Sequence, residues 1–390
     1  MRLLFFTDTY LPQINGVSRT LGRLSDYLHR TGTEHLIVTP RSGGDGRPAA
    51  PHDPQGGLPV RSLASIPFAL YPQCRLALPM MASLRQEIEA FEPDLIHLLT
   101  PFNVGLSGLR FARRQGIPHV ASYHTHFDRY MEHYHMKALI PAYWAYTRWF
   151  HQSCSAIFAP SAETVDVLRE QGLHRLRIWS RGVDAALYSP AKRNAGLRER
   201  LGIAAPLLLL YVGRIAPEKD IDTLTAIMHT IPEPLRSQVH WLVAGDGPRL
   251  PELQAEAPAG VTFLGHTEGE ELAELYASAD LFVFPSSTET FGNVVLESLA
   301  SGLPVIGAAA GGVQELVTDG RTGRLCEPGQ PADFVQAITE LLSSPGELAR
   351  YREAARQAAL RRSWDSIFAG LIDDYAGVLE TQRAAAAFPA

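Results

Sequence analysis

Cysteine is nearly missing from this chain of 390 residues: it has three, Cys74, Cys154 and Cys326, and no Cys-x-x-Cys pair. That argues against a disulfide framework or a cysteine-rich metal site and suits free thiols in a reducing compartment. Long apolar runs are missing as well. Leu3-Leu-Phe-Phe6 begins like the core of a signal peptide, but Asp8 interrupts it before any small-residue cleavage site. No stretch approaches the ~20 apolar residues that a transmembrane helix needs. A basic excess is absent too. Lys and Arg number 35 against 41 Asp and Glu, a net charge of −6, so no basic stripe stands out to neutralise nucleic-acid phosphates. The expectation is a cytoplasmic protein with no nucleic-acid partner, lying at most on the inner face of a membrane.

What is present is an ordinary soluble composition, 46% hydrophobic and 19% charged. The length exceeds what one core usually serves, so two domains are expected. In the first half, Arg2 to Thr7, His35 to Pro40, Leu95 to Thr100, His119 to Tyr123 and Ala156 to Pro160 read as strands. Helical patterns lie between several of them, at Ser18 to Arg30, Val104 to Gln115 and Ala162 to Gln171. A second series of strands follows at Leu207 to Val212, Val239 to Ala244, Val261 to Leu264, Leu281 to Pro285 and Pro304 to Ala308. Strands alternating with helices specify parallel, doubly wound sheets. The fold class is therefore α/β, two Rossmann-like domains facing a cleft, with ligand at the C-terminal ends of the strands. Ser189 to Gly196 is polar and turn-rich and reads as the linker, placing the first domain at 1–188. Residues 41–60 read as a mobile loop, 347–382 as closing helices and Ala384 to Ala390 as a frayed tail.

The chemistry concentrates in Glu289-Thr-Phe-Gly-Asn-Val-Val-Leu-Glu297. A buried strand precedes this run and a helix begins within it, so Glu289 lies in a strand-to-helix loop and Glu297 about one turn into the helix. Between them, the amides of Phe291, Gly292 and Asn293 crown a positive helix end that can grip an anion, while carboxylates grip sugar hydroxyls. Gly213-Arg-Ile-Ala-Pro-Glu-Lys219 ends another strand with two cations five positions apart. Arg214 and Lys219 can clamp a diphosphate there, although alone the loop would read as a solvated surface turn. Gly245-Asp-Gly-Pro248 lets a ligand or a second backbone approach closely, but Leu250 stands where a dinucleotide site needs a third glycine, which disfavours a nicotinamide dehydrogenase. Gly16, before a helix capped at Ser18, can offer an amide to phosphate or be a plain loop glycine. Gly311 and Gly312 are equally divided between a ligand loop and a tight turn.

His124 and His126 sit at a strand end facing the proposed cleft, and one of the pair is expected to face the ligand. With His133 and His135 they lack a nearby cysteine or a His-Glu-x-x-His helix, so no metal is expected. Phe127 to His151 mixes aromatic residues with Arg129, Lys137 and Arg148. Such a mixture suits a membrane surface, though packing accounts for most of these residues.

Taken in order, Phe6-Thr-Asp-Thr-Tyr-Leu-Pro-Gln-Ile-Asn-Gly-Val17, Ser122-Tyr-His-Thr-His126, Arg181-Gly-Val-Asp184, the Arg214/Lys219 loop, Gly245-Asp-Gly-Pro248 and the Glu289/Glu297 block resemble the retaining glycosyltransferases of family four, over nearly the whole chain. Trp179-Ser-Arg-Gly-Val-Asp184 and Tyr71-Pro-Gln-Cys-Arg-Leu-Ala-Leu-Pro79 resemble its branch of GDP-mannose-dependent α-mannosyltransferases and sulfoquinovosyl-diacylglycerol synthases. The resemblance implies the GT-B fold, with a nucleotide-sugar domain at 189–362, a helix at 363–383 crossing back near Ser363-Trp-Asp365, and a tail from 384. It implies that Arg214 and Lys219 hold the donor diphosphate, with Gly16 touching it from the opposite domain. Glu289 would hold the donor sugar with the backbone of Phe291, Gly292, Asn293 and Val294. Glu297 would hold the ribose, His124 would sit by the sugar ring, Gly245 would adjoin the donor, and Gly265 and His266 would lie beside the base.

The implied activity is metal-independent transfer of a hexosyl group, from GDP-mannose first and UDP-hexose or UDP-sulfoquinovose next, to a lipid or sugar hydroxyl. A cofactor is not implied, since the nucleotide sugar is itself a substrate. A retaining glycosidase, with two carboxylates about 5–5.5 Å apart, leaves the phosphate clamp without a purpose. A sugar-nucleotide epimerase of the same fold, a transferase acting on a soluble sugar or polyol, and a non-catalytic nucleotide-sugar binding protein are the alternatives.

Overall fold

The computed structural model describes residues 1–11, 13, 15–41, 60–68, 71–77, 82–133 and 136–387. The first half forms β1 (Leu3–Phe6), β2 (His35–Pro40), β3 (Val60–Leu63), a hairpin of β4 (Ser65–Phe68) and β5 (Tyr71–Ala77), then β6 (Leu95–Leu98), β7 (His119–Ser122), β8 (Ile157–Ala159) and β9 (Leu176–Ile178). All but the hairpin join one parallel sheet in the order β3-β2-β1-β6-β7-β8-β9. The second half contributes β10 (Leu207–Val212), β11 (Val239–Ala244), β12 (Val261–Gly265), β13 (Leu281–Phe284), β14 (Val305–Ala308) and β15 (Gly323–Cys326), ordered β12-β11-β10-β13-β14-β15. Strand order reverses beside β1 in one sheet and beside β10 in the other. Those reversals open crevices at the strands' C-terminal ends, where ligands of doubly wound folds bind.

The central strands are buried and largely apolar because helices cover both faces of each sheet. Along β1 the side chains alternate: Leu4 and Phe6 join the core on one face, Leu3 and Phe5 the core on the other. The second of these cores is closed by the last helix, Trp364–Ala387, through Phe368, Leu371, Tyr375 and Val378. Its Tyr375 hydroxyl lies 2.5 Å from His97 Nδ1 on β6, and Asp365 pairs with Arg30 at 2.7 Å. The chain thus returns to the first sheet. Where it passes over, Val183 N donates to Arg362 O at 2.9 Å, and a Cβ on Gly182 would lie 2.5 Å from Trp364 N.

Several expectations need adjustment. Three strands, β3, β9 and β15, and the hairpin were missed; all three single strands are sheet edges, short and partly exposed. The turn-rich segment Ser189–Gly196 is tied down, with Asn194 N donating to Ser278 Oγ at 3.0 Å and Lys192 pairing with Glu270 at 2.7 Å. The last helix runs on to Ala387, past the start of the expected tail. Residues 42–59 of the expected loop, Pro12 and Ile14 of the Phe6–Val17 run, Leu78 and Pro79 of the Tyr71–Pro79 run, His135 and residues 388–390 of the expected tail fall outside the described residues. Cys154 and Cys326 are free and buried. Among the described residues, no helix is long and apolar enough to cross a membrane, and no three His, Cys, Asp or Glu side chains converge in a way that could hold a metal ion.

Candidate active site

Three loops at the two reversals meet across the cleft. From the first domain comes the helix Gly16–Arg30, whose N-cap is Asn15 and not the expected Ser18; Ser18 is the third residue of a capping box, in which the Asn15 side chain accepts from Ser18 N at 2.9 Å and Ser18 Oγ accepts from Asn15 N at 3.0 Å. A Cβ on Gly16 would lie 3.6 Å from Asn293 Nδ2, so this helix start faces the Glu289–Glu297 loop of the opposite domain.

The loop after β10 carries Arg214 and Lys219. Arg214 pairs with the fully buried Glu218, and Lys219 pairs with Glu289. The Glu218 carbonyl also accepts from Thr288 Oγ1 at 2.7 Å, and Asp220 accepts from both the amide and the hydroxyl of Ser287 at 2.8 Å. The cation loop and the glutamate loop are therefore fixed to one another residue by residue. Gly245 and Gly247 close the back of this unit: a Cβ on either would sit 1.9 Å from Gly213 O or 2.2 Å from Ile215 O. Their smallness serves backbone packing beneath the Arg214 loop.

The glutamate loop ends at Gly292, whose φ of 93° only glycine adopts freely, and the helix Asn293–Ala300 follows. The amides of Asn293 and Val294 at its start lack acceptors within the helix and give that end a positive field. Phe291 is buried and Val294 packs against the core of the second domain. Gly312 N donates to Glu289 O at 2.8 Å, and a Cβ on Gly311 would lie 2.2 Å from the same oxygen. Gly311 and Gly312 thus form the tight seat of Glu289. Glu297 has Tyr276 OH 3.4 Å away and lies close to Tyr188. Burial pushes its carboxyl up to about 7, against the opposing pull of Arg19 and the two tyrosine hydroxyls.

Gly265 ends β12 with its carbonyl accepting from Gly245 N at 2.7 Å; His266 beside it is exposed, 3.7 Å from Glu268. Glu268 in turn pairs with Arg19 of the first domain at 3.0 Å. Further cross-cleft bonds run from Thr290 Oγ1 to His124 O at 3.0 Å, from Arg129 Nη1 to Ser287 O at 3.3 Å, and from Glu163 N to Glu315 Oε1 at 2.8 Å. His124 therefore adjoins the glutamate loop, whereas His126 is buried 3.6 Å from Glu163 and 3.8 Å from Asp128. Arg181 donates to His124 Nδ1 at 2.9 Å. The structure gathers Gly16, His124, Arg214, Lys219, Glu289, Asn293 and Glu297 around one cleft.

Known proteins of similar sequence show the family. A family model described as Glycosyltransferase Family 4 matches residues 14–187, and one described as Glycosyl transferases group 1 matches residues 197–358. The chain belongs to the family-four glycosyltransferases. This glycosyltransferase is 37% identical to a GDP-mannose-dependent alpha-mannosyltransferase of Mycobacterium tuberculosis, over 97% of each chain. It is 32% identical to the sulfoquinovosyl transferase SQD2 of Arabidopsis thaliana, over 93% of this chain and 70% of that one. In fold, it superposes on sucrose-phosphate synthase of Thermosynechococcus elongatus with a TM-score of 0.79 at 20% identity, over 97% and 99% of the two chains. The enzyme has the GT-B architecture.

Arg19, Glu163 and the contacts of Arg129 and Arg181 are not among the expected features of the site. Arg19 and Glu268 are 249 positions apart, and nothing local marks either. Arg181 did carry a signal, since a cation between Trp179 and Val183 in a buried stretch demands a partner.

Proposed function

We propose that this glycosyltransferase moves a hexosyl group from a nucleoside-diphosphate sugar to a hydroxyl of a glycerolipid or glycolipid, with retention at the anomeric carbon and without a metal. GDP-mannose is the favoured donor, and UDP-hexose or UDP-sulfoquinovose comes next. The observation that carries this reading is the bonded unit of Arg214, Lys219 and Glu289 beside the helix start at Asn293, opposite Gly16. It supplies fixed positive charge for a departing diphosphate and a carboxylate for sugar hydroxyls in one place. In the proposed step the bond from C1 to the β-phosphate oxygen breaks, and the acceptor oxygen bonds C1 on the same face. Its proton passes to the departing phosphate oxygen. Arg214, Lys219 and the helix end stabilise the charge growing on that phosphate, and this preorganised stabilisation supplies most of the rate enhancement. Glu297 holds the ribose, with Gly265 and His266 beside the base. The cross-cleft bonds favour a closed site that orients the reactants and limits donor hydrolysis.

The mannosyltransferase relative supports the donor order. A lipid acceptor and peripheral membrane contact are supported by exposed apolar side chains near the aromatic helix Ile140–His151, namely Phe102, Met136, Leu139 and Trp149, with Lys137 among them. The test is direct. The enzyme, treated with EDTA, is incubated with GDP-mannose, UDP-glucose or UDP-sulfoquinovose and lipid vesicles, and the product's anomeric configuration is read by NMR. An inverted product, or activity that requires added Mg²⁺, overturns the reading.

A further inference from the structure

Three hydrogen bonds that cross the cleft converge on the loop of Glu289. Two positions before it, Ser287 O accepts from Arg129 Nη1 at 3.3 Å; one position after it, Thr290 Oγ1 donates to His124 O at 3.0 Å. The third, from Glu163 N to Glu315 Oε1 at 2.8 Å, lands on the short helix Val313–Leu316. Gly312 precedes that helix, and its amide holds the Glu289 carbonyl. Each crossing bond therefore reaches the Glu289 loop directly or through the turn that seats it.

Two of the three start from one polar cluster in the first domain. Glu163 is the second residue of the helix Ala162–Glu170, where Ser161 Oγ accepts from Thr164 N at 3.2 Å. The Glu163 amide takes its acceptor from outside the helix, and a carboxylate suits that positive end. The Glu163 side chain pairs with Arg129 and so aims the guanidinium at Ser287. Burial raises the Glu163 carboxyl, but His126 at 3.6 Å and Arg129 outweigh it and hold the group below the usual carboxylate range. On the far side, Ser287 donates its amide and hydroxyl to Asp220, the neighbour of Lys219. Between these walls lies a polar cavity of about 400 Å³, lined by Arg129, Glu163, Ser287 and Gly311 among others. The walls thus meet through discrete bonds and not through an apolar core.

We propose that Arg129, Glu163 and Glu315 are positioning residues: they clasp the loop of Glu289 from both flanks and set its carboxylate for the donor sugar. The assignment rests on the transfer reading above and goes beyond it. Lys219 restrains Glu289 from within the second domain, and the clasp adds a restraint that exists only while the two domains are together. A displacement of about 1 Å at a reacting group can cost about 10²-fold in rate, so bonds of this kind matter more to the sugar than to the fold. The base is proposed at Gly265 and His266, and two strands separate β12 from β13 in the sheet. The nucleotide without its sugar therefore does not sense the clasp.

The experiment uses the full chain and calorimetric titration with GDP, UDP, GDP-mannose and UDP-glucose. Arg129→Met and Glu315→Met each weaken the sugar nucleotide by about fivefold and leave its parent nucleotide within about twofold, the scale of losing one coupling contact. Glu315→Gln keeps an oxygen that accepts from the Glu163 amide, and it restores most of the loss. In the Glu289→Ala background neither methionine change has a further effect, because the carboxylate it positions is gone. Glu315 is exposed, so its variants keep the fold, which a circular-dichroism melt checks. Equal weakening of nucleotide and sugar nucleotide overturns the assignment. So does a loss that persists undiminished in the Glu289→Ala background, or unchanged affinity in both methionine variants. A parent protein that binds neither sugar nucleotide overturns the transfer reading itself, an outcome distinct from the others.

Discussion

Arg181 donates from Nη2 to His124 Nδ1 at 2.9 Å, and because a guanidinium can only donate, this bond places the histidine's proton on Nε2. Burial first, then the charge of Arg181 and the neighbouring His97, holds His124 well below the usual histidine range. Arg181 is itself buried, its guanidinium lies 4.8 Å from the Trp179 ring centroid, and it has no carboxylate within ion-pair distance among the described residues. Burial lowers its pKa to about 10, so it remains a cation at neutral pH.

This arrangement predicts a neutral His124 that acts as a hydrogen-bond donor across the working pH range. The pH profile of transfer should show no acidic limb from His124 near 6.5. In Arg181→Met, which has no donor, the tautomer is released, and a limb should move toward that value while kcat falls more than donor KM rises. Nitrogen NMR of the histidine gives the second measurement, and an unchanged tautomer in the variant would falsify the link.

Lys219 and Glu289 are expected to behave as one unit. Lys219→Ala and Glu289→Ala should each reduce kcat by about 10²–10³-fold, the scale of losing one preorganised charge contact. The double variant should lose much less than the product of the two, because each change already breaks the pair. Circular dichroism should show the fold retained in all three.

Glu297 has a sign that can be worked out. Its folded pKa of about 7 lies above the ordinary 4.5, so between these values the folded state binds more protons than the unfolded one. This residue therefore contributes stability below pH 4.5 that is lost as pH rises to 7. Glu297→Gln should remove that component from the urea-melting profile. Nucleotide affinity should run the opposite way and strengthen as pH rises through 7, since the carboxylate is the form that accepts ribose hydroxyls. Calorimetric titration with GDP at pH 6 and pH 8 provides the check.

Gly311 combines a φ of 54° with a hypothetical Cβ only 2.2 Å from Glu289 O. Gly311→Ala should displace the Glu289 loop, costing about 1–3 kcal/mol of stability and much of the transfer rate. Gly346→Ala, where a Cβ meets nothing within 4 Å, is the control. Equal behaviour of the two variants would discount the seat.

The last helix should be inseparable from the first domain. Tyr375→Phe removes the hydroxyl bonded to buried His97, and the expected loss is about 1–3 kcal/mol in chemical denaturation. Loss of transfer in proportion to stability, with substrate KM values unchanged, is the expected signature of this structural contact.

Legibility followed locality. The central strands β1, β2, β6, β7 and β10 could be read because burial on both faces leaves runs that are apolar in β1 and β10 and largely so in the other three. The edge strands β3, β9 and β15 could not, since one exposed side dilutes the pattern with Arg61, Arg177 and Arg324. Glu289 and Glu297 were visible because strand, loop and helix that place them are consecutive. Arg129 gave no sign of bonding to Ser287, 158 positions away.

By itself the sequence determined the two parallel sheets, the family, and the loops in which Gly16, His124, Arg214, Lys219, Glu289 and Glu297 stand. These are matters of apolar period, helix punctuation and residue type within short stretches of neighbouring positions. Only the tertiary structure decided the partners. It joined Lys219 to Glu289, set Arg181 on His124, seated Glu289 on Gly311 and Gly312, and opened a polar cavity between the domains. Such pairings depend on how two separately folded sheets dock, and the free energy that selects them is summed over distant surfaces that no local pattern encodes.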